Sequence, residues 1–277
     1  MSISSRAFGA LGRRVDQGLA DSGGSGMLTS RIIPCLDVDK GIVVKGIQFE
    51  KLRQLGTAAS FAARYESEGA DELVLLDITA TLEKRPHWSQ TIAEVREQLS
   101  IPLTIGGGIR TLEDCEAALR MGADKVSLNT AAVYAPTLIT QLAQEFGSQC
   151  VVVAIDAVRA GTTAWELTTH SGTSLQTRSA VDWAKEAVER GAGELLITSR
   201  DRDGTLAGYD IELIGEISKA ANTPIIASGG AATWQHFEAA YKAGANGLLA
   251  ASIFHDQVLT IQSLKQSLAT AGVPVRL

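Results

Sequence analysis

The chain has 277 residues, 45 % of them hydrophobic and 20 % charged, with a formal net charge of −6. That balance allows one large core and excludes disorder of the whole chain. The acidic surplus argues against a nucleic-acid binder working through a broad basic surface.

Residues 1–26, rich in Ser, Gly and Arg, read as a disordered leader or as sequence upstream of a start at Met27. Three arginines among small residues would also fit a transit peptide, but Asp16 and Asp21 weaken that reading. A single domain over 27–277 follows. Its apolar runs predict strands at Ile32–Leu36, Leu73–Asp77, Leu103–Ile105, Lys125–Leu128, Val151–Asp156, Leu195–Thr198, Ile225–Ala227 and Gly247–Ala250. Amphipathic stretches between them predict helices at Ala58–Glu68, Gln90–Leu99, Leu112–Arg120, Pro136–Phe146, Ala180–Arg190, Ile211–Ala220, Trp234–Lys242 and Ile261–Ala269. Short, nearly unbroken apolar strands alternating with helices imply a parallel sheet buried on both faces. Gly69, Gly122, Gly191 and Gly244 stand where helices end, in the left-handed position that glycine favours.

Two segments repeat each other. Ile101-Pro-Leu-Thr-Ile-Gly-Gly-Gly108 and Thr223-Pro-Ile-Ile-Ala-Ser-Gly-Gly230 superpose on a shift of 122 positions, which also aligns Thr111 with Thr233, Gly122 with Gly244 and Thr130 with Ser252. Eight strand–helix units with repeating halves predict an α/β fold of the (β/α)8 TIM barrel type with a two-fold internal half-barrel repeat, rather than an open doubly wound sheet.

In such a barrel the carboxyl ends of the strands line the active face. Asp37 ends strand one and Asp156 ends strand five, facing each other across the mouth. A lone aspartate at a strand end usually caps a helix or bonds a loop. Two at symmetry-related tips favour an acid–base pair. Gly106-Gly-Gly108 with Asn129-Thr130 forms one candidate phosphate seat, because glycine lets backbone N–H groups approach an anion closely. Ser228-Gly-Gly230, Ala251-Ser252 and the turn Asp201-Arg-Asp-Gly204 form a second. A substrate with a phosphate at each end would span the mouth. Lys45, on the glycine-flanked stretch after strand one, is equally a ligand-closing lysine or an ordinary surface one. At the opposite end Arg31, Glu72, Lys125 and Glu194 begin strands one, two, four and six. They are either solvated end charges or a closed ring of two cations and two carboxylates.

No apolar run reaches the length of a membrane span. Cys35, Cys115 and Cys150 contain no CxxC pair, which fits a reducing, cytoplasmic compartment.

The runs Arg31-Ile-Ile-Pro-Cys-Leu-Asp-Val38, Val43-Val-Lys-Gly46, Leu76-Asp-Ile-Thr-Ala80, Gly106-Gly-Gly-Ile109, Asp124-Lys-Val-Ser-Leu-Asn-Thr-Ala131, Val153-Ala-Ile-Asp-Ala157, Asp201-Arg-Asp-Gly-Thr205, Ala227-Ser-Gly-Gly-Ala231 and Phe254-His255 together resemble the cyclase subunit of imidazole glycerol phosphate synthase. The likeness runs from Met27 to Leu277. It implies a histidine-pathway enzyme that joins ammonia to a bisphosphate ribulosyl-formimino carboxamide nucleotide (PRFAR), giving imidazole glycerol phosphate and aminoimidazole carboxamide ribotide (AICAR). It implies Asp37 and Asp156 as the catalytic pair, with Asp156 donating the proton and Asp37 acting as base. Lys45 matches the lysine of a mobile first loop. Gly108, Asn129 and Thr130 match one phosphate site, and Asp203, Gly204, Gly230, Ala251 and Ser252 the other. Arg31, Glu72, Lys125 and Glu194 match a gate for ammonia from a glutaminase subunit, with which the chain would form a heterodimer, and Asp124 matches a contact at that interface. No metal or cofactor is implied. The chain departs from the family at Gln48, at Thr57-Ala58 where Asp-Pro is usual, at Val158 and at Ala232; these departures bear on loop closure and substrate affinity. Competing readings are the sister isomerase of the same pathway, and a paralogue or scaffold delivering ammonia to another acceptor.

Overall fold

The computed structural model describes residues 29–47, 50–78, 86–170, 172 and 174–277. The leader 1–26, Met27 and Gln48 lie outside these residues. Among the described residues the strands run β1 (Arg31–Asp39), β2 (Ile42–Ile47), β3 (Glu50–Thr57), β4 (Leu73–Asp77), β5 (Leu103–Gly106), β6 (Lys125–Leu128), β7 (Val151–Arg159), β8 (Trp165–Thr169), β9 (Ser174–Ser179), β10 (Glu194–Ser199), β11 (Ile225–Ser228) and β12 (Gly247–Ala250). Eight of them, β1, β4, β5, β6, β7, β10, β11 and β12, pair in parallel in that order, and β12 returns to β1, so the sheet closes. The eight strands expected from apolar runs are these eight.

Helices α1 (Ala58–Ser67), α2 (Pro86–Arg96), α3 (Leu112–Arg120), α4 (Thr130–Tyr134), α5 (Thr137–Phe146), α6 (Ala180–Glu189), α7 (Ile211–Ala220), α8 (Trp234–Lys242), α9 (Ser252–His255) and α10 (Ile261–Thr270) fill the connections. Their inner stripes follow the helical period. On α6, for instance, Ala180, Trp183, Ala184 and Ala187 are buried. α2 begins and ends a few residues earlier than its apolar pattern indicates, with proline at the first helical position, where a missing N–H costs nothing. Gly69, Gly122, Gly191 and Gly244 all have positive φ, as expected where helices end.

Two hairpins were not foreseen. β2 and β3 extend β1 antiparallel, and β8 and β9 extend β7 in the same way. β1 and β7 open the two halves of the barrel and are its longest strands, nine residues each.

The repeated halves share their local chemistry as well as their course. Asp114 accepts the N–H groups of Arg110 and Thr111 at the start of α3. Across the repeat, His236 Nδ1 accepts those of Ala232 and Thr233 at the start of α8. The departure at Ala232 therefore leaves that backbone contact intact. Likewise Asp124 accepts from Leu103 N at 2.8 Å, and its counterpart Asn246 accepts from Ile225 N at 3.1 Å. Thr57 caps α1 by accepting from Ser60 N, the duty an aspartate would perform there.

Strand pleating sorts the barrel interior into levels. Alternate residues point inward, so β1 sends in Arg31, Ile33, Cys35 and Asp37. β7 sends in Val152, Ala154 and Asp156, and β10 sends in Glu194, Leu196 and Thr198. Charges lie at the lower end and carboxyls at the mouth. Between them sits an apolar cluster of Ile33, Cys35, Val74, Val152, Leu196, Ile226 and Leu249. Arg31 to Asp37 is six residues of strand, about 20 Å at roughly 3.3 Å per residue.

Candidate active site

At the mouth, Asp37 and Asp156 end the inward rows of β1 and β7, the first and fifth strands of an eight-strand barrel. Asn129, just past β6, donates its side-chain amide to Asp156 Oδ2 at 2.8 Å. Asp203 stands on the turn after β10, open to solvent on its outer side. Burial, with the negative charge of Asp203 beside it, raises the Asp37 carboxyl to about 7. Burial raises Asp156 to about 6; Arg200 and the hydrogen bonds from Asn129 and Thr198 oppose the rise, while Asp203 adds to it. Asp203 is raised by desolvation against the mouth wall, countered by Arg200 and the Gly204 N–H. Two carboxyls facing one cavity with different neighbours can hold different protons.

The double-glycine turns flank the pair. Gly107 and Gly108 have φ of +88° and +64°, and Gly229 and Gly230 both have +91°. A side chain at Gly107 would stand 2.1 Å from the Asp77 carbonyl oxygen, and one at Gly230 would stand 2.5 Å from the Gly208 oxygen. Only glycine allows these turns to lie so close to neighbouring backbone. One strand further on in each half, Asn129–Thr130 and Ala251–Ser252 lead into the short helices α4 and α9 at equivalent positions. Thr130 Oγ1 accepts the His170 N–H at 3.0 Å, tying this rim to the residues after β8. The structure thus brings together Asp37, Asp156, Asn129, Thr130, Gly108 and Asp203, Gly204, Gly230, Ala251, Ser252 around one end of the barrel.

Lys45 is placed differently. It lies on β2 and is paired with Asp256, beyond α9. Arg53 reaches the same carboxylate at 3.2 Å. Behind Asp256, Tyr65 Oη and His255 Nδ1 are 2.6 Å apart. Burial lowers the His255 imidazole to about 4.

At the opposite end, Arg31, Glu72, Lys125 and Glu194 form a closed ring. Arg31 donates to Glu72 at 2.6 Å and to Glu194. Lys125 donates to Glu72 and to Glu194, each at 2.9 Å. Thr104 supplies Glu72 with a further donor at 2.6 Å. Both carboxylates are buried, so each cation offsets a desolvation cost that neither glutamate could sustain alone. Asp124 sits half-exposed on the same end and is also held by Arg96 at 3.0 Å.

Arg200 escaped the sequence reading, because the run Ser199-Arg-Asp-Arg-Asp-Gly204 reads as a turn and nothing local ties its guanidinium to Gly172. Among the described residues no group of three or more His, Cys, Asp or Glu is arranged to hold a metal. No helix there is long and apolar enough to cross a membrane. Cys35, Cys115 and Cys150 form no disulfide.

Comparison with known proteins matches residues 31–260 to the family of histidine biosynthesis proteins. The imidazole glycerol phosphate synthase subunit HisF of Exiguobacterium sibiricum is 51 % identical over 250 residues, covering 90 % of this chain and 100 % of that protein. The subunit of the same name from Gluconacetobacter diazotrophicus is 50 % identical over 250 residues, covering 90 % and 97 %. That of Thermobifida fusca is 50 % identical over 254 residues, covering 90 % and 99 %.

Proposed function

Since the chain belongs to the histidine biosynthesis protein family, as a cyclase subunit of imidazole glycerol phosphate synthase, we propose that its barrel mouth joins ammonia to PRFAR and releases imidazole glycerol phosphate and AICAR. The observation that carries this reading is the placement of Asp37 and Asp156 on opposite sides of one mouth, between two matching positive-φ glycine turns. One phosphate sits against Gly108, Asn129 and Thr130. The other sits against Asp203, Gly204, Gly230, Ala251 and Ser252. The ribulosyl carbonyl then lies over the two carboxyls.

Ammonia attacks that carbonyl, and loss of water leaves an imine. Breakage of a C–N bond frees the carboxamide ribotide, and ring closure makes the imidazole. Each step moves a proton near the two aspartates, which general acid–base catalysis assists by about 10²–10⁴-fold. Asp156 has three partners that favour its charged form, whereas Asp37 has burial and a second carboxylate against it. The two carboxyls therefore differ in their surroundings, which lets one hold a proton while the other is charged.

The ring of Arg31, Glu72, Lys125 and Glu194 is the floor through which ammonia passes from a glutaminase subunit seated on the lower face. The apolar cluster above it supplies a path that does not protonate ammonia. Asp124 contacts that partner while holding Leu103 and Arg96. Lys45 leaves Asp256 to reach the bound substrate. The work takes place in the cytoplasm.

The test is product formation from PRFAR, first with ammonium and then with glutamine and a glutaminase subunit. Turnover of the isomerase's nucleotide in place of PRFAR would overturn the reading.

A further inference from the structure

Arg200 follows directly on β10, whose row Glu194, Leu196 and Thr198 faces the barrel interior. The Arg200 amide donates to the Ala157 carbonyl at 2.8 Å. The β7–β10 ladder, whose last registered pair is Ser199 with Ala157, thus carries on one step past the strand and fixes the Arg200 backbone at the rim. Its guanidinium lies against Gly172, between β8 and β9. A Cβ at Gly172 would stand 2.0 Å from Nη1 and 2.1 Å from Cζ, and the residue has φ +82°. Two separate segments, the end of β10 and the hairpin after β7, therefore meet at one cation.

The groups facing Asp156 come from every wall of the mouth. Asp203 lies on the turn after β10, Asn129 follows β6, Thr198 is on β10, and Thr168 on β8 donates to the Asp156 carbonyl at 3.3 Å. Cys35 lies one step below Asp37 on β1 and is held neutral by burial. Arg200 acts on both Asp156 and Asp203 in the direction opposite to burial. Three carboxyls at a mouth that admits phosphate esters would repel them. Lys45 is meanwhile engaged by Asp256.

We propose that Arg200, held beside Ala157 and seated on Gly172, is a positioning residue of the reaction: it fastens the β8–β9 connection to the end of β10 next to Asp156 and gives the mouth the local positive charge that an incoming phosphate ester requires. The inference rests on the reading of this mouth as the PRFAR cyclase site. It assigns a function to the glycine between β8 and β9 as well as to the arginine, because any larger residue there would push the guanidinium away.

The experiment uses the full chain and its Arg200→Met, Arg200→Lys and Gly172→Ala variants. It follows the aspartate carboxyls by ¹³C NMR titration and ammonium-dependent turnover against pH. Arg200→Met is expected to move the Asp156 titration up by roughly one pH unit, as loss of a nearby opposite charge does. The KM for PRFAR is expected to rise about tenfold with it, on the scale of a charge-assisted contact. Arg200→Lys restores the titration and only part of the KM, since an ammonium cannot lie flat on Gly172. Gly172→Ala falls between, and it carries the test if Arg200→Met fails to fold. An Asp156 titration, or a KM, that stays put in these variants overturns the inference. If the unaltered chain does not turn over PRFAR, the cyclase reading falls instead, and the carboxyl titration still decides on Arg200.

Discussion

Lys45 and Asp256 are joined although 211 positions separate them in the chain. The pair links the hairpin after the first barrel strand to the segment after the last, and it keeps the lysine engaged by a carboxylate. Asp256→Ala is therefore expected to lower the KM for PRFAR. A partly exposed ion pair contributes about 0.2–1 kcal/mol, so the effect is roughly 1.4-fold to fivefold. Steady-state kinetics check it, and an unchanged KM would mean that Lys45 is not drawn from this pair by substrate.

Asp37→Asn and Asp156→Asn are each expected to reduce ammonium-dependent turnover by about 10²–10⁴-fold while the far-ultraviolet spectrum of the barrel is unchanged. Asp37→Asn has a second expected effect, on stability. The folded carboxyl titrates near 7 rather than 3.8, so the folded state binds its proton more tightly than the unfolded chain does. Stability is then lost as pH rises from about 4 to about 7. The asparagine variant, which never ionises, should be the more stable protein at pH 8, by on the order of 4 kcal/mol, and should lose that advantage towards pH 4. Urea melts at both values decide it.

Thr130→Ala and Ser252→Ala address the two ends of the substrate. Each is expected to raise KM roughly tenfold or more, the scale of a hydrogen bond to a charged group, with a smaller change in kcat. Thr130 also accepts from His170, so its loss should loosen the neighbouring rim and give the larger effect. If KM is unchanged in both variants, the substrate is not held by two phosphates.

At the floor, Lys125→Met removes one of two cations shared by two buried glutamates. Leaving buried charge uncompensated should destabilise the fold by about 3–5 kcal/mol. With a glutaminase partner present, glutamine-dependent turnover should fall further than ammonium-dependent turnover. Equal losses in the two assays would remove the floor from the path of ammonia.

The barrel strands were legible because parallel strands buried on both faces appear as short apolar runs, and the 122-residue repeat tied the runs into halves. The tips followed from the strands, so Asp37, Asp156 and both glycine turns could be placed before any coordinates. The hairpins were not legible. Along Arg53-Gln-Leu-Gly-Thr57 exposed and part-buried residues do not alternate, and the strand exists because β2 supplies partners. Helices α4 and α9 are too short, at five and four residues, to show a period. The Lys45–Asp256 pair and the seat of Arg200 on Gly172 depend on how distant segments meet, which no local spacing encodes.

The alternation along β1 has a consequence for how this chain can change. Arg31, Ile33, Cys35 and Asp37 share one side of a single strand, so the floor, the interior path and the mouth are one reading frame. Insertion of a single residue before Arg31 would leave all four in phase. The same insertion after it would turn the other three outward together. The hairpins and helix turns are the places where an added residue leaves the inward rows of β1 in phase.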